Sequence, residues 1–155
     1  MPKASDLSLQ ISEEPDFYQT KIIEVYTVAE HIINVRNIDV RLMQADLSLI
    51  DEIAEVKFKS ITRKLYSFAT KYCHFHQPNS YPIYDKNVDE ALWHFAKMGH
   101  INQVFRREEL RYYRIFKQII DNFRDSNKLN KLAYVDLDKY LWQFGKDLNN
   151  PNELL

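Results

Sequence analysis

The stretch SFATKYCHFHQPNSYPIYDKNVDEAL, residues 67–92, decides how this chain is read. An amphipathic run carries Cys73, His74 and His76, a proline-bracketed turn follows, and Asp85 then opens a new run. The QPNSYP segment must be a turn, because two prolines and Asn-Ser cannot continue a helix. Asp85 stands where a helix needs an N-cap, its carboxylate accepting from the free first-turn amides. Val88, Ala91, Leu92 and Phe95 make the buried stripe of that helix, and Gly99 ends it.

Working outward, helical periodicity dominates. Residues 1–14 read as a loose lead-in and residues 15–155 as one helical domain. From Pro15, Ile22, Ile23, Val25, Tyr26, Ala29, Ile32 and Ile33 recur at three- and four-residue intervals as an apolar stripe. Ser48 with Asp51 reads as a capping box. The helix it opens is expected to bury Ile61, Leu65, Phe68, Ala69, Tyr72 and Phe75 and to expose Thr70, Lys71 and His74. A long helix is expected from Ile101 to Phe123, broken by RDSNKLN, and a last one from Leu137 to Leu148 with Tyr140 in its buried stripe. The expected fold class is all-α, a single orthogonal domain of five to six helices.

Composition bounds the function. The 155 residues can bury roughly 70% of the surface of the unfolded chain, and 45% hydrophobic with 14% aromatic residues supplies a core. With only Gly99 and Gly145, no phosphate-cradling glycine loop can be written, and a β-barrel or sandwich is disfavoured. A net charge of −1 does not advertise nucleic-acid binding by the whole surface. Lone Cys73 excludes a disulfide framework and reads as an inert buried thiol. No signal peptide or membrane span is read, so a soluble cytoplasmic protein is expected.

Asp85 is also where a resemblance enters. YPIYDKNVDEAL is similar to the segment of helix-hairpin-helix DNA glycosylases that reads proline, aliphatic, Asp, two residues, Val or Ile, then three residues and Leu. Together with DKYLWQFGK near the C-terminus, the pattern resembles bacterial proteins assigned to the fold of 8-oxoguanine DNA glycosylase, over about residues 60–146. The resemblance implies a reduced relative of that fold and a DNA-binding or DNA-repair-like protein. Its Asp85 would be both cap and catalytic carboxylate, stabilising positive charge on the sugar or activating water while a flipped base sits in a pocket. That is the chemistry of a DNA N-glycosylase, a hydrolase needing no cofactor. Two departures accompany it. No glycine precedes Gly99, so the glycine-rich phosphate-binding hairpin is absent and EVKFKSITRKL must form something else. The positions that carry a lysine in strand-cutting members are Tyr66 and Ser67, so a monofunctional enzyme is implied.

Candidate contacts to double-stranded DNA are Lys64, Lys71, Arg107, Arg111, Arg114 and Lys117, the last four on the one basic stretch, with Tyr112 and Tyr113 interleaved. Tyr84, His74 and Trp142 are pocket candidates. His74 and His76 point about 160° apart on a helix, and no metal-ligand signature is present, so no metal is assigned. The competing expectation is a non-catalytic helical module with a protein partner, which kept the fold and lost the DNA hairpin. Oligomeric state is not legible.

Overall fold

The computed structural model describes residues 15–154, so the lead-in expected at 1–14 lies outside the described residues. The order is α1 (Pro15–Ile33), α2 (Ile38–Met43), α3 (Leu49–Ala54), a hairpin of β1 (Glu55–Phe58) and β2 (Ile61–Lys64), α4 (Tyr66–His76), α5 (Lys86–Lys97), a 3₁₀ turn (Arg107–Arg111), α6 (Tyr113–Ser126), α7 (Tyr134–Asn149) and a terminal 3₁₀ turn (Pro151–Leu154). The mostly helical expectation holds, with a small two-stranded sheet added.

That sheet corrects the long helix expected from Ser48 to Phe75. Val56, Phe58, Ile61 and Thr62 favour extended backbone, and the strands pair antiparallel with Glu55 opposite Lys64 and Phe58 opposite Ile61. Lys59 takes the left-handed conformation (φ 50°) that a tight hairpin needs and that glycine supplies elsewhere. The Leu65 amide donates to the Ala54 carbonyl at 2.8 Å, closing the hairpin base. The capping box at Ser48 is also corrected. The Ser48 hydroxyl caps nothing and donates, like its amide, to Asp46, which Arg41 holds from α2.

The core gathers Leu49, Ile50 and Ile53 of α3, Val88, Ala91 and Leu92 of α5, Phe116, Ile119, Ile120 and Phe123 of α6, and Leu137 and Leu141 of α7. Five buried tyrosines join them. A buried hydroxyl without a partner costs about 1–3 kcal/mol, and each of the five donates: Tyr66 to Leu110 O, Tyr81 to Asp46 O, Tyr113 to Pro82 O, Tyr84 to Asp89 and Tyr134 to Asp121.

The basic region is not one helix. Residues 101–106 run without helix, Arg107 and Arg111 sit in the 3₁₀ turn, and α6 begins only at Tyr113. Arg114 therefore lies on a separate element, and the shared arginine face expected from the sequence does not form. The last helix starts at Tyr134, and Tyr140 is half exposed rather than buried. The α1 stripe also differs: Ile23, Val25, Tyr26 and Ile33 are exposed and only Ile32 packs against the core, while the Ile22 side chain lies outside the described ones.

Candidate functional site

The expected faces of α4 hold for Ala69, Tyr72 and Lys71 but are exchanged for Thr70 and His74, which are buried, and for Phe68 and Phe75, which are exposed. Tyr66, Ala69, Thr70, Cys73 and His74 point inward, whereas Phe75 is 82% exposed. The cause is the Tyr81–Tyr84 segment, an extended stretch laid along α4 whose backbone groups need partners. The Thr70 hydroxyl accepts from the Tyr84 amide at 3.1 Å, and His74 Nδ1 donates to the Tyr81 carbonyl at 2.7 Å. Two polar side chains thus face the core because they hold the loop that delivers Asp85. Cys73 is fully buried and its thiol is pushed up to about 12 by burial, an inert state.

Asp85 caps α5 as expected, its Oδ1 accepting from the Val88 amide at 3.0 Å. Such a cap is worth about 1 kcal/mol. Across from it stands Asp138 of α7, which sequence reasoning missed. Gly145 lies two turns further along the same face of α7 and abuts the Asn87 carbonyl in the first turn of α5. Burial first, then the Asp85 charge, raises the Asp138 carboxyl from its ordinary 3.8 to about 6, against the pull of His74, Lys71 and Lys139. One Asp138 oxygen is buried with no hydrogen-bond partner.

The sign follows from linkage. A carboxyl raised in the folded state binds a proton there before it does so in the unfolded chain, so stability falls as pH rises from about 4 to about 6 and is level above. We expect Asp138→Asn to remove this slope and to raise stability at pH 7 by roughly 1–2 kcal/mol, after discounting for the partial exposure of the group. Urea unfolding across pH 4–8 measures both; an unchanged slope contradicts the assignment.

A separate cleft of about 750 Å³ opens between the start of α4 and the 3₁₀ turn. Four expected residues converge there, Lys64, Tyr84, Arg107 and Arg111, with Lys86 and Phe68 added. Tyr84 forms its floor: the hydroxyl donates to Asp89 Oδ2 at 2.9 Å, and burial pushes it up to about 12. Asp89 Oδ1 accepts from Arg107 at 2.8 Å, and Glu90 holds the same guanidinium at 2.8 Å. Arg107 is therefore a wall of the cleft, not a free cation. Lys64 pairs with Asp51 at 3.2 Å. Arg111 and Lys86 carry no ion pair among the described residues.

The other candidates lie elsewhere. Tyr84 and Lys86 line the cleft but Asp85 between them does not, as the alternation of its extended backbone requires. Lys71 is exposed on α4 and Arg114 on α6. Lys117 is held by Asp121 at 2.9 Å. Trp142 lies under Lys146, its ring centroid 5.3 Å from the ammonium, and is not part of the cleft's lining. His74 is buried and His76 exposed, so the two do not meet. Among the described residues no helix is long and apolar enough to cross a membrane.

A curated protein of Haemophilus influenzae (strain ATCC 51907 / DSM 11121 / KW20 / Rd), titled "Uncharacterized protein", is 37% identical over 131 residues. The alignment covers 84% of this chain and 62% of that protein, so the chain spans about three fifths of its relative's length. No solved structure matches. The HI_0787_N family model, described as an N-terminal domain, matches residues 3–80, which take in the hairpin, α4 and the Lys64–Phe68 side of the cleft. By that match the chain belongs to the HI_0787_N family.

Proposed function

We propose that this protein binds DNA, gripping phosphates with Arg111 and Lys86 at the mouth of the cleft. The observation that carries the reading is the pairing pattern. Asp89 and Glu90 neutralise Arg107 and Asp51 holds Lys64, leaving Arg111 and Lys86, against the single carboxylate of Glu108, beside an aromatic floor and wall of Tyr84 and Phe68. Cations without carboxylate partners give up no ion pair on meeting phosphate, and each releases counterions from DNA. The resemblance to helix-hairpin-helix glycosylases points to the same class of ligand. Asp85 does not line this cleft, so the reading carries no excision step, and Asp85 serves as the helix cap.

The test is binding of labelled duplex DNA, with and without an abasic-site analogue, across a salt series. The wild type is expected to weaken steeply with salt. Arg111→Ala and Lys86→Ala should each lower the slope of log K against log salt by about 0.9, the value for one lost phosphate contact. Tighter binding to the abasic duplex adds a repair role. No binding at low salt overturns the reading.

One observation favours a second reading, a protein-interaction module. Ile23, Tyr26 and Ile33 stand exposed along α1, and Val25 beside them is 70% exposed. Exposed apolar side chains gathered on one helix are the usual mark of a protein contact.

A further inference from the structure

We propose that the outer face of α4 is a stacking platform for single-stranded nucleic acid, continuous with the cleft; this rests on the DNA-binding reading and extends it. Phe68, Lys71, Tyr72 and Phe75 follow the i, i+3, i+4, i+7 pattern that puts side chains on one helical face. Because Thr70 and His74 turn inward to hold the Tyr81–Tyr84 segment, this face is turned outward, with Phe68, Lys71 and Phe75 exposed and Tyr72 half-buried between them against the core. The rings form a ladder: Phe68 to Tyr72 at 6.4 Å, Tyr72 to His76 at 4.6 Å, and Phe75 to His76 at 5.5 Å between centroids. Single exposed hydrophobes need no explanation, but contiguous exposed aromatics do. At one end Phe68 lines the cleft, so the ladder leads to Arg111 and Lys86.

Charge selects the occupant. Residues 56–84 contain five Lys or Arg and no Asp or Glu, in a chain whose net charge is −1. Glu55 opens the hairpin, and Glu24 and Asp51 pair with Arg63 and Lys64, so the cations left without a carboxylate on the hairpin and α4 are Lys57, Lys59 and Lys71. Lys71 lies in the middle of the ladder and, like Lys57 and Lys59, carries no ion pair among the described residues. A polypeptide partner would want apolar groups or carboxylates here. Unpaired bases on a phosphate backbone satisfy the rings and the ammonium groups together. Every base has a π-face, so such a platform is tolerant of sequence.

The experiment measures anisotropy of labelled oligo-dT and oligo-rU of about 20 nucleotides, longer than the ~4–16 nucleotides one such site covers, beside a duplex of equal length. Phe75→Ala is expected to weaken single-strand binding about tenfold, as loss of one stacking partner does, while duplex binding changes less than twofold. Phe75→Trp should restore it. Lys71→Ala should lower the single-strand salt slope by about 0.7. Phe75 is 82% exposed, so its replacement leaves the core intact. Equal affinity of Phe75→Ala and wild type for oligo-dT overturns the platform, and Arg111→Ala still weakening duplex binding would then leave the cleft reading standing. Duplex binding without single-strand binding also overturns the platform alone. Loss of self-association in Phe75→Ala with no change on either oligonucleotide assigns the face to a protein. Binding to neither form overturns both proposals.

Discussion

Gly145→Ala is expected to destabilise the protein by about 3 kcal/mol or more. A Cβ at this position falls 1.8 Å from the Asn87 carbonyl oxygen and 2.6 Å from its carbon. The obstacle is backbone in the first turn of α5, so no rotamer relieves it and one helix must move. Overpacking in a close-packed interior typically costs 1–3 kcal/mol, and more where the neighbour cannot yield. Alanine regains about 1 kcal/mol of helix propensity over glycine, which does not offset the clash. Because Asp85 caps the same turn and Asp138 rides on the same face of α7, the displacement also loosens the carboxylate pair. Urea unfolding measures it: the midpoint should drop with little change in slope. A loss under 1 kcal/mol would mean that the two helices are not in direct contact.

Asp89→Ala is expected to cost about 2–4 kcal/mol. Both Asp89 oxygens are engaged, one by the buried Tyr84 hydroxyl and one by Arg107. Removing one partner of a buried ion pair costs about 3–5 kcal/mol when the other charge stays buried. Arg107 is partly exposed and keeps Glu90, which tempers the figure. Glu90→Ala should cost less than 1 kcal/mol, because Asp89 still holds the guanidinium and Glu90 itself is reached by solvent. Function should move the other way. With Asp89 gone the cleft loses a negative charge while Glu90 still holds Arg107, so the folded variant should bind DNA more tightly. Unchanged stability together with unchanged affinity would remove this network from the account.

Much of the frame was legible because local rules act on short stretches. Asp85 caps α5, Gly99 stops it at φ 78°, and the inward positions Val88, Ala91 and Leu92 follow helical period. The hairpin was hidden because Phe58 and Ile61, three residues apart, also fit a helical stripe, and Lys59 occupies a turn position where glycine is the usual signal. The faces of α4 could not be assigned from hydrophobicity, since aromatics line both sides. What settles them is the demand of the Tyr81–Tyr84 backbone for Thr70 and His74, a tertiary fact. The Arg107–Asp89 pair spans 18 positions and had no local mark. Asp138 did have one: a carboxylate between Leu137 and Leu141 on the face that includes Gly145 is out of place on a buried stripe. Four of the expected cleft residues came together because β2, the Tyr81–Tyr84 segment and the 3₁₀ turn converge there, although the continuous arginine helix expected to carry two of them does not exist.

Amide hydrogen exchange of the protein with and without a saturating oligonucleotide tests the central claim most directly, because it reports where on the chain nucleic acid rests. The account predicts slowed exchange in residues 64–76, 84–90 and 107–111, with α1 unchanged. Protection confined to α1, or none anywhere at low salt, would contradict it.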